Sequence, residues 1–331
     1  MRFFICFLVL CLTLSACSKS LAPSQQMQVA AIGLNAAALT DNGQYALIGS
    51  VHHGVSLWRT TDRERLYDWS HKENTDTTLI AADFSPDSLW ALSADANTLA
   101  LWDVSDGTGL RFWQAPGTIE SVQLGPQGKR ALLGLSDHTA VLFDVRKGGI
   151  IQTLHHNNRV RSVAMSADGT IAVTGSEDYS AIAWDLSNGQ AISRMRHNDD
   201  VQLVSISDDG RLAMSASKYD RALIWRTEDG SLIGEIPLAA EKLKRGLRFT
   251  AARFSPENQW LLTGRPDQRV TLWQLPGKSE QVIHAVAQWE IPKKSRWKPS
   301  GTAILDVAFA PEKNQYLAVA SNGFVYWLER Q

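Results

Sequence analysis

Hydrophobic and polar positions along this chain change over in short steps. From about residue 28 onward, brief runs with apolar members are separated by Gly-, Asp-, Asn- and Pro-bearing turns, and almost no stretch carries the 3.6-residue period of an amphipathic helix. One unit can be read strand by strand: Val160 to Met165, a turn at Ala167-Asp168-Gly169, Ile171 to Gly175, a turn at Glu177-Asp178, Ala181 to Leu186, then Asn188-Gly189 and Ala191 to Met195. This predicts an antiparallel meander of four strands. The unit recurs. An aromatic residue returns at Trp58, Trp102, Phe143, Trp184, Trp225, Trp273 and Trp327, at steps of 44, 41, 41, 41, 48 and 54 residues. A turn signal keeps the same step, at Asp41-Asn42-Gly43, Pro86-Asp87, Pro126-Gln127-Gly128, Ala167-Asp168-Gly169, Asp208-Asp209-Gly210, Pro256-Glu257-Asn258 and Pro311-Glu312-Lys313. Seven units over residues 28–331 average about 43 residues, the size of a four-stranded propeller blade.

The expected fold is therefore all-β, a ring of seven blades. The last unit ends after three strands, Phe324 to Leu328 being the third, so its outer strand is expected from the other end of the chain, at Gln28 to Ile32. Such a pairing closes the ring and leaves no open edge between the first and last blades.

The fourth unit resembles WD40 repeats, in Ser166-Ala167-Asp168-Gly169, in Thr174-Gly175-Ser176-Glu177-Asp178 and in Trp184-Asp185. The resemblance implies a buried, hydrogen-bonded tetrad of His156, Thr174, Asp178 and Trp184 that stabilises the blade and binds nothing. The other units depart from it. Unit five keeps His197, Ser215 and Trp225 but has Tyr219 in the Asp position, with Asp220 one place on; unit six keeps Thr263, Asp267 and Trp273 without the His. Unit three keeps Asp137, with Phe143 for Trp, and units one, two and seven keep little beyond Trp58, Trp102 and Trp327. The resemblance implies a binding platform, not an enzyme. It names no partner, because one fold hosts many functions.

The first residues read as an address. A basic start at Arg2 is followed by the apolar run Phe3 to Leu14, which is too short to span a bilayer as a helix and is typical of a secretion signal. Its end, Leu14-Ser15-Ala16-Cys17, resembles the lipobox of bacterial lipoproteins. There the signal is cut before the Cys, whose thiol carries a diacylglyceryl group. Several acyl chains then anchor a protein stably where one would not. The expected domains are a signal peptide over 1–16, a lipidated Cys17 with a flexible tether to residue 27, and the propeller over 28–331. Ser18, in place of Asp, directs the expectation to the outer membrane of a Gram-negative cell, on the side facing the periplasm.

Composition sharpens the list of functions. Thirty-three basic and 34 acidic residues give a net charge of −1, so no global field draws nucleic acid, and no nucleic-acid partner is expected. All three cysteines, Cys6, Cys11 and Cys17, fall at the start, which leaves the propeller no disulfide and no thiol nucleophile. No phosphate loop, His-Glu-x-x-His or Gly-x-Ser-x-Gly motif is present, and neither catalysis nor a cofactor is expected. In a meander, the loops entering a blade share one face with the connections between second and third strands. His52, His53 and His71 fall on that face of blades one and two, the only histidines placed to converge, but no spacing motif enforces metal geometry and no metal site is expected.

Charge is concentrated in two long loops. Lys242, Lys244, Arg245 and Arg248 precede blade six; Lys293, Lys294, Arg296 and Lys298, with Trp297, precede blade seven. Both loops belong to the same face, and together they make the expected partner-binding surface. Trp297 would be the anchor, and the cations would set attraction and salt dependence. The function expected is a membrane-tethered envelope scaffold or adaptor that binds a protein or an anionic envelope component. A structural subunit of an outer-membrane assembly complex is the alternative, with a propeller enzyme behind both.

Overall fold

The computed structural model describes residues 20–51, 54–71, 78–237, 249–277, 282–292 and 301–330. Seven four-stranded antiparallel sheets stand around a central channel. Six of them are meanders of consecutive strands, over residues 34–69, 81–114, 119–155, 160–196, 201–235 and 251–290. Burial explains their sequences. In blade four the second strand Ile171–Ser176 and third strand Ser180–Asp185 are packed on both sides by neighbouring blades and are almost wholly buried, so they read as apolar and small-residue runs. The outermost strand, Gln190–Arg196, has no fully buried residue and mixes polar with apolar side chains.

Blades approach closely. A methyl group placed on Gly175 would lie 2.7 Å from Val201 Cγ1 of blade five, so glycine is what lets the two sheets meet there. Inner strands are also stitched side by side. Leu124 N donates to Asp83 (2.7 Å), Val163 N to Ser121 Oγ (3.2 Å), Val204 N to Ser162 Oγ (3.0 Å) and Leu39 N to Asp306 (2.7 Å).

The seventh sheet is built from both ends of the chain. Ile304–Phe309, Gln315–Ala320 and Phe324–Glu329 are its inner strands, and Gln25–Gln28 is the fourth, antiparallel to Phe324–Glu329 with Gln25 opposite Trp327 and Gln28 opposite Phe324. The closing strand thus begins three residues before the expected Gln28 to Ile32. An outermost strand needs few inward side chains, and here Met27 alone is buried. The apolar stretch beyond it is a connection in which Val29 N and Ala30 N both donate to Gly323 O, and Ile32 is exposed.

The expected tether is shorter as well. Leu21 N donates to Gln288 O (2.7 Å) and Glu290 N to Leu21 O (3.0 Å), an isolated parallel bridge to the outer strand of blade six, His284–Glu290. Ser20 Oγ accepts from Gln288 Nε2 (3.1 Å). Residues 20–28 are therefore part of the folded body and not a flexible link to residue 27.

A second correction concerns blade seven. In blade four Trp184 pairs with Ala172, and Thr174, two places further on, presents its hydroxyl to the indole. The same register in blade seven pairs Tyr316 with Leu328. Leu328, not Trp327, occupies the anchor position, and Trp327 points to the other side of the sheet, against Met27, Leu39 and Leu317.

Candidate functional site

Blade four forms a closed relay. Trp184 Nε1 donates to Thr174 Oγ1 (2.7 Å), which contacts His156 Nε2 (2.6 Å), while His156 Nδ1 meets Asp178 Oδ2 (2.9 Å). A carboxylate only accepts, so Nδ1 carries the proton, Nε2 is the acceptor, and the Thr174 hydroxyl donates to it. Asp178 also accepts from Asn157 N, Ser180 N and Ser180 Oγ, which fixes the turn. Burial works against its ionisation, but the hydrogen bonds from His156, Ser180 and Asn157 outweigh it and hold Asp178 well below the usual carboxylate range.

Blade two holds an equivalent that the sequence spacing concealed. His71 Nε2 meets Ser93 Oγ (2.7 Å), which accepts from Trp102 Nε1 (2.8 Å), and His71 Nδ1 meets Thr98 Oγ1 (2.9 Å) with Asp95 Oδ2 at 3.8 Å. The turn after Ser93 is tighter than that after Thr174, which brings the Asp two residues after the hydroxyl in place of four. Burial depresses the His71 pKa, partly opposed by Asp95. Both ring nitrogens serve the fold; His52 and His53, its expected neighbours, lie outside the described residues. Among the described residues no group of three or more His, Cys, Asp or Glu is placed to hold a metal ion.

Hydroxyl and indole vary together in blades two to seven. Trp225 Nε1 donates to Ser215 Oγ (3.1 Å) and Trp273 Nε1 to Thr263 Oγ1 (2.8 Å), whereas Phe143 and Leu328, which have no N–H, stand over Leu133 and Ala318. In blade one, Ile48 takes the hydroxyl position and Trp58 turns to Ser56 Oγ on its own strand (2.9 Å).

Blade five is incomplete. His197 Nε2 meets Ser215 Oγ (2.8 Å), but His197 Nδ1 is buried without a hydrogen-bond partner. Tyr219 occupies the Asp position and turns outward, 64% exposed, with Lys218 Nζ 5.1 Å above its ring. Asp220 turns instead to Asn198 N and Arg221 Nε. Burial, then Arg221, lower the His197 pKa to about 4. Next to it on blade four, Tyr179 is also exposed and adopts φ +66°, a conformation costly for a bulky residue.

Both tyrosines belong to the upper face, defined by the loops entering the blades and the connections between second and third strands. Ile32, Val51 and Ile80 are exposed on the same face of blades one and two, whereas on the lower face, among the described residues, Leu89 and Val282 are the large apolar side chains exposed in connections. The expected anchors Lys242, Lys244, Arg245, Arg248, Lys293, Lys294, Arg296, Trp297 and Lys298 lie outside the described residues, as does Cys17.

The central channel holds a second cluster, which sequence reasoning missed. Arg253, on the inner strand of blade six, reaches Asp306 Oδ2 of blade seven (3.3 Å), and Asp41 and the Leu39 carbonyl of blade one (3.3 Å to the carbonyl). Asp83 and Asp208 line the same cavity of about 210 Å³. Burial alone would lower the Arg253 pKa, but Asp306, Asp41, Asp83 and Asp208 together raise it. Asp83 is pushed up to about 8 by burial, against the Leu124 N–H and Arg253. Its signal was an aspartate within an inner strand, at Ala81-Ala82-Asp83-Phe84 and again at Ile304-Leu305-Asp306-Val307.

Against known proteins, the sequence family described as WD domain, G-beta repeat matches residues 148–185, which take in the outer strand of blade three and the first three strands of blade four, and residues 246–274, which take in the first three strands of blade six. The chain is a WD40-repeat β-propeller. No curated protein matches this propeller in sequence. A chain in the crystal structure of the mitotic checkpoint complex is similar in shape, with a TM-score of 0.74 at 16% identity, over 100% of this propeller and 98% of that chain. At that identity the likeness concerns the fold alone.

Proposed function

We propose that this WD40 propeller is a lipid-anchored scaffold of the cell envelope, held at the outer membrane on its periplasmic side through Cys17, which binds a protein partner through its upper face. The Leu14-Ser15-Ala16-Cys17 run supports the anchor. Tyr219 carries the binding reading. It stands where the fold calls for an aspartate, leaves His197 Nδ1 unanswered, and presents its ring to solvent beside Tyr179. Local choices that cost stability concentrate at functional surfaces, and exposed Tyr rings are typical interface anchors. The basic residues of the sequence before blades six and seven, expected on the same face, would attract acidic groups on the partner.

The test is site-specific photo-crosslinking from the upper face in cells. Replacing both tyrosines, Tyr179→Ser with Tyr219→Ser, is expected to abolish the captured band while melting stays that of the parent. Changing Lys293, Lys294, Arg296 and Lys298 to Glu is expected to weaken capture most at low salt. Identical partners at identical yield from all variants would overturn the assignment of this face.

A further inference from the structure

The folded body begins closer to Cys17 than a tether would allow. Ser20 and Leu21 are held on the outer strand of blade six by Gln288 and Glu290. Three residue steps separate Cys17 from Ser20, and a fully extended chain covers at most about 10 Å over them. If acyl chains occupy Cys17, the outer strand of blade six stands within about 10 Å of the headgroups.

That side of the ring is apolar where solvent would favour polar groups. Val282 is 67% exposed just before His284–Glu290, and Val286 is exposed within it. Leu232 is exposed on the outer strand of blade five, Leu232–Glu235. The two strands adjoin, since a methyl group on Gly234 would lie 2.8 Å from Ile283 Cδ1. Their acids, Glu235 and Glu290, stand at the strand ends. Blade three also exposes Ile150 and Ile151 at its rim, so exposure alone does not select a side; the short leash does.

We infer that the rim of blades five and six rests against the surface of the membrane that holds the lipid, with Leu232, Val282 and Val286 entering the headgroup layer. The propeller then stands on edge and keeps both faces open to partners. This rests on the lipid-anchor reading above.

The test uses the full-length protein purified from membranes and reconstituted in vesicles of phosphatidylethanolamine and phosphatidylglycerol. The mature chain would have no thiol except the blocked Cys17, so single labels can be placed through Val286→Cys, Leu232→Cys and, across the ring, Ile151→Cys. Quenching by a nitroxide-bearing lipid is expected to be several-fold stronger at 286 and 232 than at 151. Equal quenching, with an acylated Cys17 seen by intact mass, overturns the orientation and leaves the anchor standing. Absence of acyl mass overturns the anchor and, with it, the leash on which the orientation depends.

Discussion

A buried imidazole has two nitrogens to satisfy, and the blades differ in how they do so. In blade four Asp178 answers His156 Nδ1, and the cost of removing it is the desolvation of an orphaned donor. Asp178→Ala should lose about 1–3 kcal/mol in chemical denaturation near neutral pH. Because the Asp178 pKa is depressed in the folded state, its contribution is present above the unfolded value of 3.8 and lost as pH falls through the folded one, so the difference between variant and parent should shrink in acid. Blade five offers the reverse experiment. Tyr219→Asp returns an acceptor to His197 Nδ1 and should raise stability by about 1–2 kcal/mol, while removing an exposed ring from the upper face. A Tyr219→Asp protein that melts no higher than the parent would show that the orphaned nitrogen costs little. The His156 relay was legible because its four residues keep the spacing of the repeat. His71 was not, because one tighter turn moves Asp95 by two places, and linear spacing does not register where a turn points a side chain.

At the level of strands, the aromatic anchors mark a bend. In blades one to six the pairing of third and outer strands shifts register at the anchor itself, between Leu57 and Trp58, Leu101 and Trp102, Leu142 and Phe143, Ala183 and Trp184, Ile224 and Trp225, and Leu272 and Trp273. A bulge at that point increases the local twist of the sheet. Blade seven, whose outer strand comes from the N-terminus, has no such shift in its Gln25–Gln28 pairing. It is also where the seventh tryptophan misled: Trp327 lies one residue from the anchor, and a step of one reverses the side a strand residue faces. Contacts between blades make a sharper test. Gly175→Ala should force the added methyl against Val201, with overpacking typically costing about 1–3 kcal/mol, whereas an unchanged midpoint in urea would mean that blades four and five separate without penalty.

For the molecule as a whole, the ring is held at its seam by charge as well as by pairing. Arg253 binds blades six, seven and one together, with Asp83 and Asp208 lining the same channel. Asp83 is the expensive member. With its pKa raised from 3.8 to about 8, the folded protein keeps a proton that the unfolded chain has released, so Asp83 takes away stability progressively as pH climbs between those values. Asp83→Asn should therefore match the parent near pH 4 and surpass it by a margin that widens toward pH 8, read as melting temperature against pH; parallel curves would refute the assignment. Seven repeats were enough to foresee the ring, but which inner-strand side chains meet across a channel depends on closure in three dimensions and leaves no periodic trace. Closure also sets a timetable. Gln25–Gln28 must find Phe324–Trp327, about 300 positions later, so a chain emerging from the ribosome carries its first strand unpaired until that partner strand has been made. Six blades' worth of sequence are made before the ring can shut, so closure is a late event that no single blade can bring about alone.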